Sequence, residues 1–185
     1  KGLAVHGSPA CVADVATFLG NERLSSWARI TLEAIPGAEA AAALRASAES
    51  LSGRPLVGVV NSLGVRRDEA AVPMLVKRLS DGDPNVAAAA AAALGKIGTP
   101  AAAAALSRAL AAGVPDRDVV AEACVVCGES LGATGDVAAA VALFDAVRGA
   151  EVSEQRRAEA SRATILARGR DGVPLLVELL QSPSQ

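Results

Sequence analysis

Two cysteines in the spacing C-x-x-C, Cys124 and Cys127, are the sharpest candidates for chemistry in this chain. That spacing suits a thiol–disulfide redox pair or half of a zinc site. A zinc site needs about four ligands. The remaining Cys and His donors are Cys11 and His6, both far away in the sequence. Residue 128 is glycine rather than histidine, which excludes a c-type haem attachment. Three cysteines, an odd number, give no disulfide framework. His6 is the single histidine and sits near the N-terminus, where a solvated side chain is a simpler expectation than a general base. No G-x-x-x-x-G-K-[ST] loop, G-x-S-x-G elbow or convincing paired-carboxylate motif occurs. Two groups of arginines remain. Arg156, Arg157, Arg162, Arg168 and Arg170 crowd one segment, offset by Glu151, Glu154 and Glu159. The adjacent Arg66 and Arg67 could take a carboxylate or a phosphate. These residues predict no metal, no cofactor and no enzymatic activity. Both C-x-x-C cysteines are then expected to serve as small buried hydrophobes.

The elements that would position these residues form a repeat. V-P-x-L-V-x-x-L occurs at Val72 to Leu79 and again at Val173 to Leu180. Leu63-Gly64, Ile97-Gly98 and Leu131-Gly132 each close an apolar run, at a constant step of about 34 residues. A fixed period of roughly 20–50 residues marks a solenoid. Ser8-Pro9, Asp83-Pro84 and Thr99-Pro100 each put a capping side chain before a proline that suits the first helical position. Asp68, Asp116, Asp136 and Ser153 are further expected caps, and Gly37, Gly64, Gly98, Gly132 and Gly169 suit helix ends. The punctuation predicts one domain over 1–185, with helix pairs at about 8–35, 38–64, 69–97, 100–131 and 136–168 and a lone helix at 171–181. In the second helices, Leu56, Val59, Val60 and Leu63 form a one-faced stripe. It recurs one step on as Ala90, Ala93, Leu94 and Ile97, and a further step on as Cys124, Cys127, Gly128 and Leu131. Ala28, Thr31, Leu32 and Ile35, and Ala160, Ala163, Thr164 and Ala167, are looser copies.

Composition fits helices packed through small side chains: 51% apolar residues, one Trp, two Phe and no Tyr in 185 residues. A net charge of −2 supplies no basic field, so neither nucleic acid nor a polybasic membrane contact is expected. The apolar run Ala87 to Leu94 is too short to insert in a membrane. The chain begins with Lys1 and shows no signal pattern, so a longer precursor is expected and the compartment stays open between cytoplasm and periplasm or exterior. Val173 to Leu180 carries a stripe that a further helix should cover, so the native chain is expected to continue beyond Gln185.

Units of about 34 residues with an early proline in the first helix, and with Ala93-Leu94-Gly95-Lys96-Ile97-Gly98 closing the second, resemble HEAT repeats. The nearest subtype is similar to the short HEAT-like repeats of phycobilin lyases. Ser26 to Glu33, Leu56 to Asp68 and Ala71 to Leu79 further resemble HEAT arrays of planctomycete-type bacterial proteins. The resemblance implies an all-α, right-handed α-solenoid whose second helices line a concave face. It also brings in three enzymatic relatives. Di-iron hydroxylases of this architecture rely on repeated His-Glu pairs, which one histidine does not supply. HEAT-like DNA glycosylases would place Trp27, Arg29 and Glu33, with the cluster Arg156, Arg157, Arg162, Arg168 and Arg170, in a basic groove, against the acidic balance of this chain and the glutamates that make the cluster a solvated, ion-paired helix. A bilin lyase implies aromatic contacts to a tetrapyrrole, for which three aromatics are few.

Opposite the core stripe, the second helices present Ser26, Ile30 and Glu33; Arg54, Gly58 and Asn61; Ala88, Ala92 and Gly95; Glu122, Val126 and Glu129; and Ala158, Arg162 and Ile165. Gly58, Ala92 and Val126 are small and apolar, with charged flanks, which is the anatomy of an interface. The expected partner-binding residues are Arg29, Glu33, Gly58, Asn61, Arg66, Arg67, Ala92, Val126, Glu129 and Arg162. The expected function is a non-catalytic scaffold holding a protein partner or a neighbouring domain of the same chain. The alternative is an accessory domain appended to a larger enzyme or electron-transfer protein, and a HEAT-fold enzyme comes third.

Overall fold

The computed structural model describes residues 7–113 and 116–181. His6 lies outside them. Every regular element among the described residues is helical, and the chain divides into two compact units, residues 1–97 and 98–185.

In the first unit a 3-10 turn, Pro9–Cys11, leads into α1 (Val12–Ala16). Then come α2 (Ser25–Ala34), α3 (Ala38–Ser50) and α4 (Gly53–Val65). A second 3-10 turn, Glu69–Ala71, opens α5 (Val72–Arg78), and α6 (Pro84–Ile97) closes the unit. Successive second helices stack, α2 on α4 and α4 on α6, while α3 and α5 pack against α4 and α6 respectively. The stripe sets this arrangement. Leu56, Val59, Val60 and Leu63 are buried on α4, as are Ala90, Ala93, Leu94 and Ile97 on α6 and Ala28, Thr31, Leu32 and Ile35 at α2. Full burial of each leucine stabilises by about 1.5–3 kcal/mol. The small residues fix the spacing: a Cβ added at Gly64 would stand 2.8 Å from the Ala93 Cα. Only glycine permits α4 and α6 to approach this closely.

The second unit contains α7 (Pro100–Ala112), α8 (Arg117–Ala133), α9 (Val137–Arg148) and α10 (Glu154–Arg168). A 3-10 turn, Gly169–Gly172, then leads into α11 (Val173–Gln181). Here α8 stacks on α10, with α7 and α9 packed alongside, and α11 rests on α10. The starts are capped by side chains, Thr99, Asp116, Asp136 and Ser153 each accepting a hydrogen bond from the backbone N–H of Ala102, Val119, Ala139 and Arg156 respectively. Asp83 similarly caps α6 through the Asn85 N–H at 2.9 Å. Ser8 and Asp68, which the sequence also marks as caps, make no capping hydrogen bond. Asp68 instead pairs with Arg45 at 2.5 Å. The Phe144 ring of α9 occupies the space in which a side chain at Gly128 would lie, locking α8 to α9.

Candidate functional site

Of the sequence-derived contact residues, Arg29, Glu33, Gly58, Asn61, Arg66 and Arg67 fall together in the first unit, on α2, α4 and the turn that follows α4. They are not an open ridge. The Arg29 guanidinium reaches across from α2, donating to the Gly58 carbonyl at 3.2 Å and the Ser62 hydroxyl at 3.4 Å. Ser62 in turn donates to the Glu33 carboxylate at 2.5 Å, and Arg29 pairs with Glu33 at 3.9 Å. Gly58, expected to be exposed, is buried beneath Arg29: a Cβ there would stand 2.5 Å from its Nε. A side chain at position 58 would displace the guanidinium from that volume. Gly95, also expected on the surface, is buried as well. Asn61 is half-buried, and Ala92 on α6 is half-buried too.

Arg66 has a structural task. Its guanidinium donates to the carbonyls of Leu32 at 2.6 Å, Glu33 at 3.1 Å, Ile35 at 2.7 Å and Gly37 at 2.7 Å. It thus satisfies the carbonyls left over where α2 ends. The turn therefore does not offer a pair of arginines to a carboxylate. Arg67 alone is exposed, and its backbone sits in the left-handed region with φ +50°. Ser62, buried between Arg29 and Glu33, was missed in the sequence. Its position is a core position for α4, and the signal was a lone hydroxyl within the run from Val59 to Leu63.

In the second unit, Val126 is half-buried on α8, while Glu129 on α8 and Arg162 on α10 are exposed. Both cysteines of the C-x-x-C pair point into the core. Burial pushes the Cys124 thiol up to about 12, with the neighbouring Cys127 adding to the shift, and burial pushes Cys127 up to about 11. Thiols held protonated in this way are poor nucleophiles near neutral pH. No group of three or more His, Cys, Asp or Glu residues among the described residues is arranged to hold a metal ion.

The arginine cluster is partly consumed in stapling one repeat to the next. Arg156 bridges Glu122 and Glu159, each at 2.7 Å, and Arg168 pairs with Asp145 at 2.6 Å. Arg117 pairs with Glu151 at 2.7 Å, and the Ser153 N–H donates to Asp118 at 2.8 Å. Hydrogen bonding from the Ser153 side chain, and then from its backbone N–H, holds the Asp118 carboxyl below its ordinary range. What remains free in the geometry is a groove of about 710 Å³ between α10 and α11. Its floor is Ile165, Leu166, Leu176 and Leu179, and Arg157 and Arg162 stand at its edge.

Helix pairs that keep one register from repeat to repeat, with the small-residue approach of α4 to α6, are the features of a helical repeat array. A family model described as HEAT repeats matches residues 57–126. Residues 57–126 are HEAT repeats. The chain as a whole is an all-α, HEAT-like solenoid, similar in structure to the complex of CpcE and CpcF of phycocyanin lyase from Nostoc sp. PCC7120. That likeness has a TM-score of 0.60 at 26% identity and covers 95% of this chain and 71% of the matched one. No curated protein matches the sequence.

The likeness corrects one expectation. The residues predicted a chain that is not an enzyme, yet the solenoid it matches is part of a lyase. Single-chain catalytic motifs are a poor guide to such an assembly, since that lyase is a complex of two. The scarcity of aromatics also weighs less than expected, because Phe18 and Trp27 are both exposed in the first unit. No helix among the described residues is long and apolar enough to cross a membrane.

Proposed function

We propose that this chain is a HEAT-like subunit of a lyase-type assembly and acts by binding a second polypeptide. The observation that carries this reading is the likeness, over 95% of the chain, to a phycocyanin lyase that is a two-chain complex. The surface is in keeping with it. In the first unit Ala92 is small and half-buried, so another backbone can approach it; in the second unit Val126 is apolar and half-buried, and the exposed Glu129 and Arg162 of that unit supply charge. The cluster of Arg29, Glu33 and Ser62 contributes rigidity, with Asn61 and Arg67 left as the accessible polar groups near it.

The test is purification of the chain from its native source under conditions that preserve complexes, beside an Ala92→Arg/Val126→Glu variant. Wild type should carry one polypeptide at a fixed ratio, and the variant should lose it while keeping its helical circular dichroism. The recovered pair, given a bilin and chromophore-free phycocyanin, should leave bilin absorbance on the protein after denaturing electrophoresis. Wild type recovered alone would sink the reading, and a stable pair with no transfer would narrow it to the binding step.

A further inference from the structure

Asp81-Gly82 and Asp171-Gly172 are the two Asp-Gly bonds of this chain. At such a bond the backbone can rewrite itself, because glycine has no side chain to shield its amide from the carboxyl before it. The glycine nitrogen bonds to the aspartate Cγ, one carboxyl oxygen departs as water, and a succinimide ring closes. Water then opens either carbonyl of the ring. One opening restores aspartate, and the other leaves isoaspartate, with the main chain running through the former side-chain carbon. Composition is unchanged, and no oxidant, reductant or cofactor is consumed.

The structure separates the two bonds. Gly172 is buried within the 3-10 turn Gly169–Gly172, and a Cβ there would stand 2.5 Å from the Ile165 carbonyl oxygen. A helical turn fixes the backbone rotation at the aspartate away from what ring closure demands. Asp81-Gly82 instead lies in the turn between α5 and α6, outside any regular element, and both residues line an open groove with Arg45, Glu49 and Lys77. Gly82 is exposed, and its N–H donates to nothing among the described residues. A Cβ added there would meet nothing within 4 Å, chain neighbours aside.

The Asp81 carboxyl is held across this amide. Its Oδ1 accepts from the Asp83 N–H at 3.0 Å, so the side chain arches over the Gly82 peptide, and Arg78 donates to its Oδ2 at 2.8 Å. The Arg78 guanidinium, and then the Asp83 N–H, hold the carboxyl below its ordinary range. An ionised oxygen does not depart as water, so the contact that aims the carboxyl also restrains the reaction. Arg78 is itself anchored to the Ala48 carbonyl at 3.0 Å, which keeps the restraint in place.

We propose that Asp81-Gly82 is the isoaspartate-forming site of this chain and that Arg78 sets its rate by restraining the carboxyl. This inference is independent of the lyase reading. Isoaspartate there adds one carbon to the backbone between α5 and α6 and moves the carboxylate away from Arg78 and the Asp83 N–H.

The test is incubation of the intact chain at physiological temperature and neutral pH, followed by digestion. Isoaspartyl methyltransferase with labelled S-adenosylmethionine then reads the modification peptide by peptide. Label should accumulate on the peptide that contains Asp81 and not on the one that contains Asp171. Gly82→Ala should fold as wild type, since space is open and the backbone there is not left-handed, and should lose label several-fold. Arg78→Gln should gain label several-fold, with Arg78→Lys between it and wild type. Arg45→Gln removes the neighbouring ion pair with Asp68 and leaves Asp81 alone, so its label should match wild type. No label at Asp81, more label at Asp171, or equal label in Gly82→Ala would overturn the site. Label unchanged in Arg78→Gln, or raised equally in Arg45→Gln, would overturn the role of Arg78.

Discussion

Helices α5 and α11 share the same motif, and only one of them is core. Leu75 of α5 is fully buried under α6, while Leu176 at the corresponding position of α11 keeps 41% of its surface. The motif makes an amphipathic helix with a proline in its first turn. Whether its stripe becomes core depends on the element laid over it.

The comparison is broken or upheld by a pair of truncations. Leu75→Ala should cost about 2–5 kcal/mol, as for other buried leucines, because α4 and α6 close poorly over the cavity. Leu176→Ala should cost under about 1 kcal/mol. Urea unfolding followed by circular dichroism measures both, and equal costs would mean that α11 is buried in solution as α5 is.

A second contrast lies in the turns closing α4 and α8. Both carry the same backbone pattern. Arg67 N–H donates to Gly64 and Asp68 N–H to Leu63; two repeats on, Gly135 donates to Gly132 and Asp136 to Leu131. The residue before each pair differs. Arg66 reaches four carbonyls at the end of α2, whereas Thr134 bonds only to the carbonyls of its own helix. Arg66→Ala should cost about 2 kcal/mol, since hydrogen bonds from charged donors contribute about 1.5–3 kcal/mol and several carbonyls would lose one. Arg66→Lys should recover little, because one ammonium does not span those carbonyls. Thr134→Ala should stay within about 0.5 kcal/mol of wild type. Indistinguishable melting of Arg66→Ala and Thr134→Ala would remove the capping role.

The stripes were legible because burial on a helix writes itself at spacings of three and four residues. Leu56 to Leu63, Ala90 to Ile97 and Cys124 to Leu131 all followed that rule into the core. The tasks of Gly58 and Arg66 were not legible, for one shared reason. Arg29 covers a glycine on the next second helix, and Arg66 caps a helix that ended about one repeat earlier. Long polar side chains act between repeats, and no pattern within a single helix records that. The groove was legible by half: its apolar stripe stands in the sequence, but the glutamates that offset the arginine cluster do not show which arginines they pair. Packing separated Arg156, which is paired, from Arg157 and Arg162, which are not.

The smallest effect sharpens the comparison of the two turns most directly. At the position that follows the helix cap, the left-handed conformation suits glycine, and the second unit has Gly135 there with φ +96°. The first unit has Arg67 with φ +50°, where a side chain costs roughly 1–2 kcal/mol. Arg67 is exposed and its neighbour Arg66 carries the capping, so its side chain returns little stability to the fold. Arg67→Gly relieves the strain but frees the unfolded chain, which offsets about 0.4–1 kcal/mol of the gain. The net should be a stabilisation of up to about 1 kcal/mol. Gly135→Ala should destabilise by about 1 kcal/mol or more, because φ +96° suits an L residue less well than φ +50° does. Opposite signs in the two melting shifts would show one turn filled by two residues of unequal fitness. A loss of stability in Arg67→Gly would instead mean that the arginine side chain supports the turn it strains.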